Sequence, residues 1–449
     1  MGNDTKRLLV VALNFAPEQT GIGKYVGDMT EWLTSHGISV RVVTAPPYYP
    51  YWSVKPGYSG ARYRRENVAG AHVYRCPIWV PRCPCGLTRI LHLLSFALSS
   101  LPVVLWQALV WRPHLIFVVE PPLGAAPTVR LAAALCGARS WLHVQDFEID
   151  AAFDLGLLRA PRLGRAILAI ERWLMRGFDQ VSTISESMRS KLRAKGVRED
   201  RIVSFPNWVD TGSIRPIEAP IALRAELGID PGTHVVLYAG NMGEKQGLEI
   251  ILDVARLFRE DPNVLFLLCG DGAARSRIAR AAAVLANVRL IPLQPLSRLN
   301  ELLNLADVHL LPQRKAAEDL VLPSKLTAIM ASGHPVVATA RRESDVARCA
   351  AIGGIVVSPG DVRAIASAVR RLLADDDLRL QLGATGRAYA LQNWEREKVL
   401  RQVFARLPTL AATAARDDDD DGGTASAPLA IAIPAAVAGP VPATSLTDV

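Results

Sequence analysis

The sequence has few cysteines, and their spacing is not that of a metal centre. Its 449 residues include six cysteines. The Cys83-Pro-Cys85 pair is too tightly spaced for a usual zinc knuckle, and no second ligand pair follows at metal spacing. Cys136 and Cys269 stand in apolar runs and are predicted to be core residues. We therefore expect a reducing compartment and no resident metal.

Aromatic residues are also scarce, at 6% of the chain, and no nucleic-acid-binding motif is present, so nucleic acid is not an expected partner. The formal net charge of +8 is unevenly distributed. Residues 1–205 hold 25 Lys and Arg against 15 Asp and Glu, whereas residues 206–449 hold 26 against 28. This asymmetry favours an anionic membrane surface as a partner of the first half. The N-terminus lacks the cleavage pattern of a signal peptide, so we expect a cytoplasmic protein.

Charged side chains are missing from Ile90–Trp111, where the only titratable group is His92. These 22 residues are long enough to cross a bilayer. Ser95, Pro102 and Gln107 interrupt the apolar run, and a spanning helix would put the strands before and after it on opposite sides of the membrane. We therefore predict a buried or membrane-apposed helix.

Apolar runs separated by helical patterns predict two successive α/β halves, each with a parallel sheet. The predicted strands of the first half are Leu8–Phe15, Val40–Thr44, Leu115–Val119, Trp141–Val144, Val181–Ser185 and Ile202–Phe205. Those of the second half are Val235–Ala239, Val264–Leu268, Asn287–Ile291, Val308–Leu311, Val336–Ala338 and Ile355–Val357. The predicted divisions are a first domain at 1–205, a linker at 206–232, a second domain at 233–392, a helix crossing back at 393–410, and a disordered tail at 411–449.

Three glycine-containing loops follow predicted strands. They contain Gly21 and Gly23, then Gly240, Asn241 and Gly243, then Gly270 and Gly272. Ligands of open α/β sheets bind at the carboxyl ends of strands, and glycines let backbone N–H groups approach an anion there.

The predicted strand Val308–Leu311 is followed by a polar loop that holds Arg314, Glu318 and Asp319. Pro323 then opens a helix whose first turn carries Lys325. The cations and the helix N-terminus suit a phosphate, and the carboxylates could accept hydrogen bonds from sugar hydroxyls. This arrangement predicts a ligand with a phosphate end and a hydroxyl-rich end.

The run from Met330 to Val337 (MASGHPVV), preceded by PSKL at 323–326, resembles the donor site of retaining glycosyltransferases of family 4, which have the GT-B fold. The PSKL variant is similar to the subgroup that builds bacterial exopolysaccharides of the colanic-acid type. The resemblance implies two Rossmann-like domains facing a cleft. It also implies metal-independent transfer of a sugar, with retention, from a GDP- or UDP-linked donor to a lipid-linked oligosaccharide, at the cytoplasmic side of the inner membrane.

The resemblance also implies site residues. The implied catalytic residues are Asp146, Lys245, Glu318 and Asp319. The implied donor-binding residues are Gly21, Gly23, Gly240, Asn241, Gly243, Gly270, Gly272, Arg314, Pro323, Ser324 and Lys325. Lys245, Arg314 and Lys325 are the candidate phosphate cations.

The chain departs from the family pattern at several of these positions. Ala328 stands where a glutamate usually contacts the nucleotide ribose, and Asn241 stands where an arginine is common. Gln145 takes the place of a histidine near the donor sugar, and His143, two residues earlier, is predicted to be a core residue with a different partner.

Two surface features point to the acceptor and the membrane. Residues 46–67 form a loop rich in Tyr, Pro and Arg, which is either an acceptor lip or a disordered connector. On the helix around 162–176, one face is predicted to carry Ile167, Ile170 and Leu174, and the opposite face an arginine stripe for anionic lipid. The stripe holds Arg162, Arg165, Arg172 and Arg176, and a second basic cluster holds Arg189, Lys191, Arg193, Lys195 and Arg198.

Two other classes of protein remain open. One is a different enzyme of similar fold, such as an epimerase or a phosphorylase, although nothing in the sequence marks the pyridoxal-linked lysine of a phosphorylase. The other is a non-catalytic scaffold of a polysaccharide assembly complex, which Ala328, Asn241 and Gln145 make conceivable.

Overall fold

The computed structural model describes residues 6–82, 86–150, 161–217, 221–243, 246–314 and 324–405. The predicted tail at 411–449 and the Cys83 and Cys85 pair lie outside these ranges. The described residues form two α/β halves, each with its own sheet of mainly parallel strands, so the predicted fold class is confirmed.

The first half contains an eight-stranded sheet with the order β3-β4-β2-β1-β5-β6-β7-β8. Its strands are β1 (Arg7–Val11), β2 (Ser39–Thr44), β3 (Arg64–Val68), β4 (Ala71–Arg75), β5 (Leu115–Glu120), β6 (Arg139–Val144), β7 (Gln180–Thr183) and β8 (Ile202–Ser204). Its helices are α1 (Gly21–Ser35), α2 (Gly86–Trp111), α3 (Ala126–Cys136), α4 (Pro161–Arg176) and α5 (Glu186–Ala194). All neighbouring strands are parallel except β3 and β4.

The second half contains a six-stranded parallel sheet with the order β11-β10-β9-β12-β13-β14. Its strands are β9 (His234–Ala239), β10 (Val264–Cys269), β11 (Val288–Ile291), β12 (Val308–Leu311), β13 (Val336–Thr339) and β14 (Gly354–Val357). Its helices are α6 (Ile221–Glu226), α7 (Glu249–Arg256), α8 (Arg275–Ala282), α9 (Leu299–Asn304), α10 (Ser324–Ser332), α11 (Asp345–Ala350), α12 (Val362–Ala374) and α13 (Asp376–Asn393). A last helix, α14 (Arg396–Phe404), follows.

The prediction that residues 46–67 form only a loop was wrong, because β3 begins at Arg64 and pairs antiparallel with β4. The chain turns between the two strands at Ala69 and Gly70, which both have positive φ angles. The sequence of β3 is RRENV, so it lacks the apolar alternation by which strands are recognised. Charged residues of this kind are typical of the edge of a sheet, where β3 lies.

The long apolar segment forms α2, and it is the one helix in the described part of the chain that is long and apolar enough to cross a membrane. The strand before it, β4, and the strand after it, β5, belong to the same sheet. Because both strands lie on the same side of any membrane, α2 does not span it. One face of α2 packs against the protein, with Phe96, Val104 and Ala108 buried, which agrees with the predicted buried or membrane-apposed helix.

Two expectations about the basic segment need correction. Ile170 of α4 is exposed, whereas the next residue, Glu171, is fully buried and forms an ion pair with Lys195 at 2.6 Å. In the second cluster, Arg189 and Arg193 pair with Glu186 and Glu199, and Arg198 pairs with Asp200. Most of that cluster is therefore neutralised by its own neighbours.

Of the two predicted core cysteines, Cys269 is buried and Cys136 is only partly so, at the end of α3. Both are free thiols, as are Cys76 and Cys349.

The helix α14 crosses back to the first half, as predicted. The Phe404 ring lies 5.7 Å from the Phe205 ring and 6.0 Å from the Trp141 ring, measured between centroids. At the start of α14, the Val209 amide of the linker donates to the Trp394 carbonyl at 2.8 Å, and the Arg396 amide donates to the Val209 carbonyl at 3.1 Å. These contacts join α14 to the linker and to the core of the first half.

We expect Phe404→Ala to lower the free energy of unfolding by about 3–5 kcal/mol, because it leaves a cavity among buried aromatic rings. Urea unfolding followed by tryptophan fluorescence measures this loss. The control is Leu380→Ala on α13, whose side chain is 72% exposed and should cost less than about 0.5 kcal/mol. Equal losses in the two variants would contradict the packing described for α14.

Candidate functional site

A cleft of about 560 Å³ lies between the carboxyl ends of the two sheets. From the first half it is lined by Thr20, Gly21, Tyr49, Pro50, Tyr51 and Asp146. From the second half it is lined by Gly240, Asn241, Gln246, Asp271, Gly272, Leu293, Leu311, Pro312, Gln313, Ser324 and Lys325. This is the position at which open α/β sheets bind their ligands.

The second-half wall depends on two glycines that bring neighbouring loops together. Gly240 follows β9 and Gly270 follows β10, with φ angles of +136° and +155° that favour glycine. A Cβ on Gly270 would lie 1.9 Å from the Gly240 carbonyl oxygen. The loops are also joined by the Met242 amide, which donates to the Asp271 carbonyl at 2.8 Å. Backbone groups of both loops therefore meet at one edge of the cleft.

Lys325 lies across this edge from the first turn of α10. Its Nζ donates to the Tyr238 hydroxyl at 2.5 Å and lies 4.3 Å from the centre of that ring. Its side chain passes over Gly240, where an added Cβ would be 2.3 Å from Lys325 Cε. Burial lowers the pKa of Lys325 to about 7. The ammonium and the N-terminus of α10 together give this end of the cleft a positive potential.

The first-half wall is held by a buried carboxylate, Glu18. Its Oε1 accepts hydrogen bonds from the backbone amides of Tyr48 and Tyr49, both at 2.9 Å, and its Oε2 accepts one from Asn14 at 2.9 Å. Burial raises the pKa of Glu18. These bonds fix the chain at Tyr49–Tyr51, the part of the predicted acceptor lip that lines the cleft.

Asp146 lines the cleft from the end of β6, beside a buried hydrogen-bond chain. Gln145 Nε2 lies 2.9 Å from His143 Nε2 and donates to Asn207 Oδ1 at 3.0 Å. His143 Nδ1 is 2.8 Å from Ser182 Oγ, and burial lowers the pKa of His143 to about 3, which keeps the ring neutral. His143 is thus a core residue as predicted, and Gln145 is turned away from the cleft toward the interdomain turn.

The structure brings seven of the predicted site residues together around the cleft: Gly21, Asp146, Gly240, Asn241, Gly272, Ser324 and Lys325. Four others do not line it. Gly23 packs beneath Glu18, Gly270 packs against Gly240, Gly243 lies beside Gln246, and Arg314 forms an ion pair with Glu249 at 3.2 Å. The predicted residues Lys245, Glu318, Asp319 and Pro323 lie outside the described residues.

Sequence reasoning missed five polar residues of this region: Glu18, Thr20, Gln246, Asp271 and Gln313. Glu18 stands between Pro17 and the first two glycines. A carboxylate in this glycine-containing loop was the one sign in the sequence that Glu18 belongs to the site. Across the described ranges, no group of three His, Cys, Asp or Glu is arranged to hold a metal ion.

Comparisons with known proteins agree with this architecture. Residues 20–208 match the model of a glycosyl transferase 4-like domain, and residues 221–389 match that of glycosyl transferases group 1. The chain is 41% identical over 406 residues to WcaI of Escherichia coli K12, a match that covers 88% of this chain and 98% of WcaI. The name of WcaI describes it as a glycosyl transferase of colanic acid biosynthesis.

The chain belongs to the family 4 glycosyltransferases of the GT-B fold. The family and the fold predicted from the MASGHPVV run are thereby confirmed. Sucrose-phosphate synthase of Thermosynechococcus elongatus has the same fold, with a TM-score of 0.70 and 18% identity over 91% of this chain and 100% of the synthase. The Anabaena protein HepE, solved with UDP, gives a TM-score of 0.65 and 14% identity over 90% of this chain and 100% of HepE.

We expect Gly270→Ala to lower the free energy of unfolding by about 3 kcal/mol, because the new Cβ forces the β9 and β10 loops apart. The matched control is Gly360→Ala. Gly360 also has a positive φ (+86°), but an added Cβ would meet no atom there, so this substitution should cost about 1–2 kcal/mol. Chemical unfolding of both variants checks the difference. A Gly270→Ala protein no less stable than the control would contradict the close loop contact.

Proposed function

We propose that this glycosyltransferase moves a sugar from a nucleoside-diphosphate donor to a hydroxyl of a lipid-linked oligosaccharide during assembly of an exopolysaccharide of the colanic-acid type. The observation that carries the proposal is the composition of the cleft. One wall presents Lys325, a helix N-terminus and glycine loops, and the other presents Asp146 and tyrosines. The name of WcaI and the UDP in the HepE structure support the same assignment.

In this proposal the diphosphate lies on the second-half wall. Lys325 and the amides of the β9 and β10 loops would bind its oxygens and stabilise the charge that develops as the sugar bond breaks. Gly240 and Gly272 line this wall, and the lack of a side chain makes room for Lys325 over Gly240 and for Asn241 beside Gly272. No metal is needed in this scheme, since fixed cations and dipoles neutralise the leaving group.

The sugar and the acceptor would then lie toward the first-half wall. The Asp146 carboxylate can accept hydrogen bonds from sugar hydroxyls, and the rings of Tyr49 and Tyr51 offer the apolar surface on which sugars pack. Retention of the anomeric configuration is proposed from the family resemblance. Peripheral attachment to the cytoplasmic face of the inner membrane would give the enzyme access to a lipid-linked acceptor and to cytoplasmic nucleotide sugars.

A second candidate, a non-catalytic scaffold of a polysaccharide assembly complex, is favoured by two observations. Gln145, at the position of the family histidine, is committed to His143 and Asn207 rather than to the cleft. Ala328 packs with the apolar cluster of α10 and offers no carboxylate to a ribose. Nucleotide binding and transfer distinguish the two candidates.

The pKa of Lys325 predicts how donor binding depends on pH. As the pH rises through about 7, the free amine loses its proton, so nucleoside-diphosphate affinity should fall by up to about tenfold per pH unit. Calorimetric titration with UDP and GDP between pH 6 and 9 measures this. Lys325→Met should bind more weakly with a flat profile, whereas Lys398→Met on α14 should follow the wild type. A flat wild-type profile would contradict the lowered pKa of Lys325, and wild-type affinity in Lys325→Met would exclude Lys325 as the phosphate cation.

The proposed reaction is tested by thermal-shift titration in EDTA with GDP, UDP, GDP-fucose, GDP-mannose, UDP-glucose and UDP-galactose. At a hundred-fold excess over the dissociation constant, the right donor should stabilise the fold by about 2.7 kcal/mol. Asp146→Asn should keep this shift and lose transfer to a lipid-linked acceptor by about a hundredfold or more. No shift with any nucleotide, in a folded sample, would favour the scaffold.

A further inference from the structure

The helix α2 has an inverted distribution of polar and apolar side chains. Its outward face is a continuous apolar row along 26 residues, about 39 Å. The exposed side chains of this row are Leu87, Ile90, Leu91, Leu94, Leu98, Leu101, Pro102, Trp106, Leu109 and Val110. They lie on one side because their spacing follows the helical period. A helix that faces water places its leucines inward, so this face is adapted to apolar surroundings.

The polar side chains of α2 point toward the protein, where partners are available. His92 Nδ1 is 2.7 Å from the Trp79 carbonyl, and Ser99 Oγ donates to the Pro77 carbonyl at 2.6 Å. Gln107 Oε1 accepts from Arg41 at 2.7 Å. Of the residues that interrupt the apolar run in sequence, Gln107 therefore faces inward and Ser95 Oγ accepts from the Trp79 amide at 3.0 Å, whereas Pro102 lies on the outward face.

A pocket of about 380 Å³ opens at the edge of this apolar row, between α2 and the β3–β4 hairpin. The Arg65 guanidinium lies 4.9 Å from the centre of the Trp106 ring and 5.3 Å from that of Tyr74. The neighbouring Glu66 pairs with Arg64 and Arg75, and within the described ranges Arg65 forms no ion pair. An exposed cation held by two rings keeps its N–H groups available to an anion.

The apolar surface continues onto neighbouring helices. Leu131 and Leu135 of α3 and Ile170 and Trp173 of α4 are each more than half exposed. The Arg130 guanidinium lies 4.7 Å from the centre of the Trp173 ring. Leucines bordered by arginines and tryptophans match the chemistry of a lipid leaflet, which is apolar inside and anionic at its surface.

We propose that the outward face of α2 inserts among the acyl chains of one leaflet, and that the pocket around Arg65 binds the phosphate of an anionic phospholipid. This inference deepens the membrane attachment in the proposed function by assigning it to α2 and Arg65. Charge complementarity favours the lipid as occupant, because the first half holds a net excess of ten positive charges. The helix lies along the membrane rather than across it, since β4 and β5 share one sheet.

Flotation of the full chain with vesicles of phosphatidylcholine alone, or mixed with phosphatidylglycerol, tests the proposal. Leu98→Glu should weaken binding to both vesicles by about tenfold or more. Arg65→Gln should weaken binding to the anionic vesicles by about fivefold and leave the neutral ones unaffected. The matched controls are Leu380→Glu, with similar exposure (72% against 70% for Leu98), and Arg198→Gln. Both controls should bind as the wild type does.

Wild-type binding by Leu98→Glu would overturn the proposal. So would dissociation of a dimer by Leu98→Glu without vesicle binding, which would assign the face to a second copy of the chain. Competition by soluble glycerol phosphate at millimolar concentration would show a free-phosphate site instead. The nucleotide thermal shift is measured on the same samples, so a protein that binds vesicles but no nucleotide would retain this inference and lose the proposed function.

Discussion

The contact between the backbones of Gly240 and Gly270 is the constraint on which the rest of the site depends. The lack of a side chain on Gly270 allows the loops after β9 and β10 to meet, and the lack of one on Gly240 makes room for the Lys325 side chain. Their contact leaves a floor of backbone over which the Lys325 side chain extends, and the Tyr238 hydroxyl holds its amine. Any larger residue at these positions would move the lysine away from the helix N-terminus that shares its charge.

The opposite wall is built in a different way, by buried polar groups rather than by close backbone contact. Glu18 fixes two backbone amides of the tyrosine loop, and Gln145 links the strand that carries Asp146 to Asn207 of the interdomain turn. Trp208 in that turn fills space against Tyr25 and Phe205. Each wall is therefore held by its own internal contacts, and the linker connects the two halves.

The fold could be predicted from the sequence because buried parallel strands are nearly continuous apolar runs, such as Val308–Leu311. Such runs can be recognised without knowing which other parts of the chain pack against them. The hairpin strand β3 could not, since a charged edge strand carries no such pattern. The glycine loops and Lys325 were predictable from spacing. The role of Glu18 was not predictable, because its carboxylate accepts hydrogen bonds from the amides of Tyr48 and Tyr49, which are about thirty residues away in the sequence. The ion pairs that neutralise Arg189 and Arg193 likewise depend on how α5 is placed beside Glu199.

The most direct test of the central claim is a crystal structure of the chain with its intact nucleotide sugar, identified by the thermal-shift screen. The account predicts that the diphosphate lies within hydrogen-bond distance of Lys325 Nζ and of the backbone amides after β9 and β10, with the sugar directed toward Asp146. A nucleotide bound with its diphosphate on the first-half wall, or outside the cleft between the two halves, would contradict it.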